Sequence, residues 1–247
     1  MQKTNFKLVI EYDGSCFSGW QIQKDRPTVQ GELEKALSRI LNQTVKINGS
    51  GRTDAGVHAL GQTANFTATT AIFPEDLKKG VNALIKTPIV IRKCSIADPD
   101  FHARYDAVSK EYHYHILNRD DPSALKRNYC SHIRQNLDLK KMNQCCDIIS
   151  GVHDFKSFEA SGSPRSHTQR KIFSAVFEKK SRHHIVFKIE ANGFLRFMVR
   201  NIVGTIVLAG LSKISKEEFQ SILRARNRKL AGPTAPPQGL FLMQVNY

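Results

Sequence analysis

One short segment, Gly49–His58, combines residue types that are typical of catalytic turns. Glycines precede and follow Arg52 and Asp54, and glycine allows both a tight turn and the close approach of a ligand to the backbone. A carboxylate in such a turn can act as a nucleophile or a general base. One interpretation is therefore a rigid turn that presents Asp54 with Arg52 beside it. The other is a loop between strands whose aspartate caps a turn, and residue types and spacing leave both open.

A second charged residue, Arg200, lies within the apolar run Phe194–Leu208, which has the pattern of a helix. Burying a guanidinium without a carboxylate partner is costly. The arginine therefore either pairs with an acidic group or extends its aliphatic stem so that the charge reaches the surface. The sequence pattern alone does not decide between these two arrangements.

Tyr112 and Tyr114 alternate along a predicted strand, which places both rings on one face of a sheet. On this pattern alone, packing of the rings in the core is favoured. His113 and His115 also alternate and could share a metal ion, but no third ligand is evident, so we expect a structural role.

The remaining sequence indicates neither a metal centre nor a membrane segment. The five cysteines include no CxxC pair and are odd in number, which argues against a zinc site or a disulfide framework. Neither a P-loop nor a dinucleotide fingerprint is present. The longest apolar stretch, Ile202–Leu211, is too short to span a bilayer, and residues 1–5 lack the apolar core of a signal peptide. We therefore expect a cytoplasmic protein without a membrane partner.

The charge balance points to a polyanionic partner. The chain has 37 Lys+Arg against 22 Asp+Glu, a net charge of +15 at pH 7. Such an excess favours nucleic acid first and an acidic membrane surface second, although a basic enzyme of another kind remains an alternative. Two segments, Asp120–Arg127 and Ser161–Arg170, have the composition of mobile basic loops that contact phosphates.

The elements that position these residues follow a repeated order. In the first hundred residues, strand and helix periods alternate as βαββαβ, the ferredoxin-like arrangement, with Thr28 as a predicted helix N-cap. The second half repeats this order with one extra helix. The predicted elements are Phe6–Tyr12, Val29–Leu41, Val45–Ile47, Gln62–Ala68, Pro74–Leu84, Ile89–Ile96, Glu111–Leu117, Leu137–Ile149, Lys171–Glu178, Ile185–Ala191, Phe194–Leu208, Lys216–Arg226 and Leu240–Val245.

This order predicts an α+β fold of two ferredoxin-like βαββαβ subdomains with a pseudo-twofold relation. Residues 1–103 would form the N-terminal subdomain that carries Asp54, and residues 104–247 the C-terminal one. We expect an extended, mostly antiparallel sheet with a central basic cleft, a suitable surface for RNA.

The segment Gly51–Ala59, followed by Gly61-Gln62, resembles the signature of the TruA-type tRNA pseudouridine synthases, with no departure within this stretch. A match of this length is far more specific than a short glycine motif. Similar motifs extend the resemblance over essentially the whole chain. They are Tyr12-Asp13-Gly14, Gly19-Trp20-Gln21, Thr28–Leu33, Phe101-His102-Ala103-Arg104, Lys110–Tyr114, His153-Asp154-Phe155, Met198–Gly204 and Ala235–Leu240.

The resemblance implies an enzyme that converts uridine to pseudouridine in the anticodon arm of tRNA, at positions 38 to 40. It also implies that no cofactor or metal is needed and that the enzyme is a homodimer. Asp54 matches the family's catalytic aspartate, and Arg52 matches the arginine associated with flipping the target base. Tyr112 matches the tyrosine that lies on the target uracil, and Arg200 matches the partner that keeps Asp54 ionised and oriented. Whether Asp54 attacks the sugar, attacks the base or abstracts a sugar proton stays open.

We further expect tRNA contacts from the central motif and from the basic loops. These predicted contacts are Phe101, His102, Ala103, Arg104, Tyr105, Arg165 and Arg170. Two alternatives are a non-catalytic RNA-binding module, which would not need the Asp54 turn, and a nucleoside hydrolase. A hydrolase of the glycosidase type usually uses two carboxylates, and the nearest second one, Asp13, resembles a turn residue.

Overall fold

The computed structural model describes residues 3–160 and 167–247, which form a mixed α+β fold. Within these residues there are ten β-strands and five α-helices, which confirms the predicted α+β class. The ferredoxin-like arrangement, the pseudo-twofold relation and the basic cleft stay predictions. The chain divides into two compact units, Met1–Val108 together with Phe241–Tyr247, and Ser109–Leu240. The predicted subdomains of residues 1–103 and 104–247 stay a prediction.

The strands are β1 (Lys3–Tyr12), β2 (Asn48–Gly49), β3 (His58–Thr69), β4 (Ile89–Ile96), β5 (Ser109–Asn118), β6 (Ser131–Ile133), β7 (Gly151–Asp154), β8 (Gln169–Ser181), β9 (His184–Ala191) and β10 (Leu240–Asn246). The helices are α1 (Val29–Leu41), α2 (Pro74–Leu84), α3 (Leu139–Ile149), α4 (Met198–Gly210) and α5 (Lys216–Ala225). Short 3₁₀ turns occur at Gly14–Cys16, Lys156–Phe158, Arg228–Leu230 and Pro237–Gly239. No helix in these two ranges combines the length and apolarity needed to cross a membrane.

The first unit is built around β1, which pairs antiparallel with both β3 and β4. Alternate β1 side chains from Phe6 to Tyr12 are buried, and Phe6 stacks on its cross-strand partner Phe66 with ring centroids 5.1 Å apart. Thr28 caps α1 by accepting a hydrogen bond from the Gly31 N–H at 3.3 Å, as predicted. β2 pairs antiparallel with β3, and β10 runs parallel to β3 through Phe241 and His58.

The second strand of this unit begins later than predicted, at Asn48 rather than Val45. Two side chains of α1 explain the difference, because they take the backbone donors that a strand would need. The Val45 N–H donates to Ser38 Oγ and the Ile47 N–H donates to Glu34 Oε1, both at 2.9 Å. The predicted strand is therefore an irregular segment tied to α1, and it leads directly into the Gly49–His58 segment.

In the second unit, β9 lies between β5 and β8 in antiparallel pairings, and β7 continues antiparallel to β8. The short strand β6 is parallel to β5 and, like β7, was not predicted. α3 begins after the N-cap Asp138, whose side chain accepts a hydrogen bond from the Lys141 N–H at 3.1 Å. Phe155 and Phe158 are fully buried.

The predicted start of the apolar helix and the predicted loop at Arg170 were wrong. The apolar helix begins at Met198 and not at Phe194, because Phe197 has left-handed backbone angles (φ 64°) that a right-handed helix cannot include. Arg170, predicted to be in a loop, lies in β8, where its neighbour Lys171 pairs with Val152 of β7.

Candidate active site

The Gly49–His58 segment connects β2 to β3, and its first half is fixed to β3 by hydrogen bonds. The Ser50 N–H donates to the Thr63 carbonyl at 2.7 Å, and Ser50 Oγ donates to Gln62 Oε1 at 2.7 Å. Gln62 in turn donates from Nε2 to the Gly51 carbonyl at 3.0 Å. Because Ser50 and Gln62 are fully buried, these bonds are shielded from water and hold the loop in one position.

Thr53, the residue before Asp54, is held from two sides. Its hydroxyl lies 2.8 Å from the Tyr12 hydroxyl, and its carbonyl accepts the Trp20 N–H at 3.1 Å. Burial raises the pKa of Tyr12 far above its usual value, so the phenol keeps its proton and can hydrogen-bond as a neutral group. The backbone immediately before Asp54 is therefore set by the core of the first unit.

The loop also requires a glycine at position 19. Gly19 has φ 98°, and a Cβ there would lie 2.7 Å from the Thr53 carbonyl oxygen and 3.2 Å from the Asp54 carbonyl carbon. A side chain would therefore both strain the backbone and displace the Asp54 loop. This contact explains why the Gly19-Trp20-Gln21 motif begins with glycine, which the sequence alone did not explain.

The turn after Asp54 is closed by the main chain, since the Val57 N–H donates to the Asp54 carbonyl at 3.1 Å. The next residue, His58, is buried and stacks on Phe241 with ring centroids 4.5 Å apart. Its Nδ1 lies 3.1 Å from both the Gly14 nitrogen and an Asp13 carboxylate oxygen. His58 thus supports the loop, and Asp13, which also accepts from the Ser15 N–H at 2.9 Å, is a turn residue as predicted.

The side chains of Arg52 and Asp54 reach the surface of the first unit. Arg52 is exposed and Asp54 is partly exposed, while Thr53 between them is buried. The structure therefore places the predicted carboxylate and arginine on the same loop, with Arg52 exposed and Asp54 partly exposed. A carboxylate held in this way can act as a nucleophile or as a general base.

Tyr112 and Arg200 belong to the second unit. Tyr112 is 7% exposed and meets the Phe194 ring edge-on, with centroids 5.1 Å apart at 85°. It faces inward with Tyr114, in agreement with the alternation of the strand.

Arg200 lies in the first turn of α4 and is partly exposed. Its Nε donates to the Ala235 carbonyl at 2.8 Å, and its own carbonyl accepts the Ala235 N–H at 3.1 Å. The guanidinium carbon lies 4.9 Å from the centre of the Phe197 ring, within the range of a cation–π contact. The chain thus holds this arginine by a main-chain carbonyl and an aromatic ring, contacts that its position in the helix pattern did not indicate.

The Phe101–Tyr105 segment is anchored by two buried asparagines. Asn5 and Asn65 donate from Nδ2 to the Phe101 carbonyl at 2.8 and 3.2 Å, and Asn65 Oδ1 accepts the Ala103 N–H at 3.0 Å. Ala103 is fully buried, and its carbonyl accepts the Tyr247 hydroxyl at 2.8 Å. Ala103 therefore holds the segment in place, and sequence reasoning missed the residues that anchor it. Asn5 and Asn65 lie on the strand faces opposite to Phe6 and Phe66, so the alternation that marks the core gave no signal for them.

The rest of this segment faces outward and combines aromatic and basic groups. Tyr105 is 74% exposed, its ring centroid lies 4.3 Å from that of His102, and the Arg104 guanidinium carbon lies 5.6 Å from the ring centre. Nearby, the Lys7 ammonium lies 4.6 Å from the Phe101 ring and 3.8 Å from the Tyr247 ring. Burial, followed by the charge of Lys93, lowers the pKa of Lys7, and burial raises the pKa of Tyr247 to about 12.

Of the other two predicted loop cations, Arg165 and Arg170, only Arg170 belongs to the described residues. Arg170 is partly exposed in β8 and donates from Nη1 to the Gln169 carbonyl at 2.5 Å. Arg165 lies outside the described residues. Across residues 3–160 and 167–247, no group of three or more His, Cys, Asp or Glu side chains is arranged to hold a metal ion.

A model of the tRNA pseudouridine synthase family matches residues 8–106 and 146–247 of this chain. The tRNA pseudouridine synthase A of Thermoanaerobacter sp. strain X514 is 44% identical over 243 residues, which are 98% of this chain and 99% of that protein. The protein of the same name from Acetivibrio thermocellus is 42% identical over 243 residues with the same coverage. The matched ranges include the Asp54 loop and α4, whereas Tyr112 lies between them.

A solved structure of an H/ACA ribonucleoprotein, bound to a substrate RNA containing 2′-deoxyuridine, matches 82% of this chain at 15% identity with a TM-score of 0.37. This match covers 43% of the solved chain, so the present protein spans less than half of its length.

Proposed function

Because the chain belongs to the tRNA pseudouridine synthase family and is an isomerase that forms pseudouridine in tRNA, we propose that its target lies in the anticodon stem-loop, at positions 38 to 40. We propose further that Asp54 is its catalytic residue. The observation that carries this proposal is the Asp54 loop, in which buried hydrogen bonds of Ser50 and Thr53 fix the chain just before Asp54, a partly exposed residue. A preorganised carboxylate is what the reaction needs, since a misplaced group would lose much of its catalytic effect.

The chemistry is an isomerisation without a redox step. The bond between uracil N1 and the sugar C1′ breaks, a bond between C5 and C1′ forms, C5 loses a proton and N1 gains one. One carboxylate can promote this sequence by adding to the sugar, by adding to the base or by abstracting a sugar proton. Kinetic and trapping experiments with the wild-type enzyme distinguish these three routes.

Arg200 is proposed to pair with Asp54 and to keep the carboxylate ionised and oriented. An arginine presents several N–H donors in a fixed plane, so a charge-assisted pair with a carboxylate is both strong and directional. Within its own unit Arg200 already has a fixed orientation, because its Nε donates to the Ala235 carbonyl. Because this bond restrains the guanidinium plane, it also restrains the directions in which the two terminal nitrogens can donate.

A uridine inside a stem must leave the base stack before a protein group can reach it. We propose that the exposed Arg52, two residues before Asp54, fills the vacated position or contacts the adjacent phosphate. Tyr112 is proposed to lie against the flipped uracil. Its edge-on contact with Phe194 would hold the ring in place before the substrate arrives.

The net charge of +15 and the exposed Arg104–Tyr105 surface support binding of an RNA strand. Lys and Arg side chains neutralise phosphates, and an exposed aromatic ring offers a stacking surface to an unpaired base. A homodimer, a cytoplasmic location, and two pseudo-twofold-related ferredoxin-like subdomains with a basic cleft are part of the same proposal. They are supported by the family resemblance, the predicted βαββαβ order and the charge.

The direct test is to map pseudouridine on an unmodified tRNA transcript incubated with the purified protein in the presence of EDTA. We expect pseudouridine at positions 38 to 40 and no requirement for an added cofactor. A transcript with cytidine at those three positions is the matched control and should remain unmodified. Pseudouridine outside the anticodon arm would refute the proposed target, and tight binding without any product would favour a binding module.

A further inference from the structure

A single arginine, Arg228, organises the segment Ala231–Ala235, which lies against α4. Its Nη1 donates to the carbonyls of Ala231 and Gly232 at 3.2 and 2.9 Å. Its Nη2 donates to Asn201 Oδ1 at 3.0 Å and to Thr234 Oγ1 at 3.1 Å. One guanidinium therefore joins the two ends of this segment to a side chain of the helix.

The helix side of this contact is buried and polar. Asn201 and Thr205 are both fully buried, although each carries a polar side chain. Thr234 Oγ1 donates to Asn201 Oδ1 at 2.6 Å, and the Gly232 N–H donates to Thr205 Oγ1 at 2.9 Å. Leaving any of these buried groups without its partner would cost free energy, so the network is stable only as a whole.

The approach of the segment to α4 is so close that it requires glycine at position 204. A Cβ on Gly204 would lie 1.8 Å from the Pro233 carbonyl oxygen. The backbone of the segment is thus in direct contact with the backbone of the helix, one turn after Arg200. A shift of the segment would be transmitted to the helix surface without intervening side chains.

The segment ends at Ala235, and Ala235 is the residue that holds Arg200. The Ala235 N–H donates to the Arg200 carbonyl at 3.1 Å, and the Ala235 carbonyl accepts Arg200 Nε at 2.8 Å. The direction of the Arg200 guanidinium therefore depends on where the network around Arg228 places Ala235.

We propose that Arg228 is a positioning residue for the isomerisation: through Asn201, Thr234 and the Ala231–Ala235 segment it fixes the carbonyl that orients Arg200. This role rests on the proposed function of Arg200 beside Asp54. Arg228 itself need not touch the substrate. If Arg228 only stabilised the fold, it would form the same hydrogen bonds. The test must therefore separate an effect on the orientation of Arg200 from an effect on protein stability.

The test is a double-mutant cycle measured by single-turnover pseudouridine formation, with R228M and R200K as single variants and together. R200K keeps the charge but removes the Nε donor to Ala235. We expect R228M to lower the turnover rate constant ~10- to 100-fold, the range for a displaced catalytic group, with the dissociation constant for tRNA unchanged. In the R200K background R228M should have little further effect, because the orienting bond is already lost.

R224M, which removes an exposed cation of α5, is the control and should leave the rate constant unchanged. R228K is the second variant, used if R228M does not fold; a single ammonium cannot serve all four acceptors, so the rate should again fall. If R228M lowered the rate constant by the same factor in the wild-type and R200K backgrounds, the proposal would be overturned. Arg228 would then have only a structural role. Activity of D54A would instead refute the proposed function, so the two failures are distinguishable.

Discussion

At the scale of single residues, the position of Asp54 is set by neighbours rather than by its own backbone preferences. Ser50, Thr53 and Val57 each form a hydrogen bond that fixes one part of the loop. Gly19 supplies the space that the loop needs. The chemistry of the site therefore depends on residues that would not be chosen as catalytic from their side chains.

Thr53→Val tests how much the buried contact between Thr53 and Tyr12 contributes. Valine has nearly the same shape, but it leaves the buried Tyr12 hydroxyl without this partner. We expect the free energy of unfolding to fall by about 1–3 kcal/mol in urea denaturation. Thr67→Val, the same change at an exposed position of β3, should stay within about 0.5 kcal/mol of wild type. Equal values for the two variants would show that this hydrogen bond does not fix the loop.

Tyr105→Ala tests the proposed stacking surface. The ring is 74% exposed, so its removal should leave the melting temperature unchanged. If an unpaired base stacks on it, binding of tRNA should weaken by about 1–3 kcal/mol, measured by filter binding. Tyr105→Phe keeps the stacking surface and should bind like wild type. Unchanged affinity in the alanine variant would remove Tyr105 from the tRNA contacts.

At the scale of elements, local sequence signals predicted most helices and strands, and long-range contacts explain the failures. Thr28 is the predicted N-cap of α1, and α1 begins directly after it. α3 is predicted from Leu137 but begins at Leu139, after the N-cap Asp138. By contrast, β2 is displaced because two side chains of α1 bind the N–H groups of Val45 and Ile47. No pattern within residues 45–47 reveals that competition.

The candidate site likewise has one part that could be predicted from the sequence and one part that could not. The Asp54 turn could be identified from the sequence because its glycines, arginine and aspartate are contiguous. The contacts of Arg200 could not, since Ala235 and Arg228 are distant from Arg200 in the chain. Which carbonyl an arginine reaches is decided by tertiary packing, such as the close approach of the backbone at Gly204.

The strands β5 and β9 carry a histidine pair that should make the second unit sensitive to acid. His115 Nδ1 and His184 Nε2 lie 3.0 Å apart, so one ring nitrogen must accept while the other donates. Burial, followed by the charge of Lys126, lowers the pKa of His184 below 6.5. The unfolded chain then binds the proton more readily, so this contribution to stability is present above about pH 6.5 and is lost as the pH falls below it.

Unfolding in urea at about pH 7.5 and at about pH 5.5 checks this prediction, because the two values lie on either side of an unperturbed histidine pKa. Wild type should be less stable at the lower pH. His184→Gln, which keeps a hydrogen-bonding side chain but does not titrate, should show a smaller loss. His153→Gln is the control on β7 and should keep the wild-type loss. Equal pH dependence in wild type and His184→Gln would contradict the assignment.

At the scale of the whole molecule, the net charge of +15 is the feature that favours a nucleic acid partner. Release of counterions makes such binding fall steeply with salt, and each phosphate contact adds to the slope. The net charge is therefore the basis for predicting the salt dependence of tRNA binding. The Asp54 loop is the basis for the proposed catalytic residue.

Replacing Arg104, Arg165 and Arg170 by glutamine should weaken tRNA binding and reduce its salt dependence. Each lost phosphate contact should lower the slope of log K against log salt by about 0.7–0.9. Arg39→Gln, an exposed cation in the last turn of α1, is outside the predicted set and should leave the slope unchanged. An unchanged slope in the triple variant would show that these cations do not contact the RNA backbone.

Asp54→Asn is the decisive variant for the proposal that the Asp54 carboxylate carries out the isomerisation. Single-turnover formation of pseudouridine and tRNA affinity would be measured together, with Asp25→Asn as the control. Asp25 is exposed and has φ 57°, a conformation that asparagine tolerates well. We predict that Asp54→Asn binds tRNA like wild type but forms no pseudouridine, while Asp25→Asn retains full activity. Pseudouridine formation by Asp54→Asn at the wild-type rate would refute the catalytic role of Asp54.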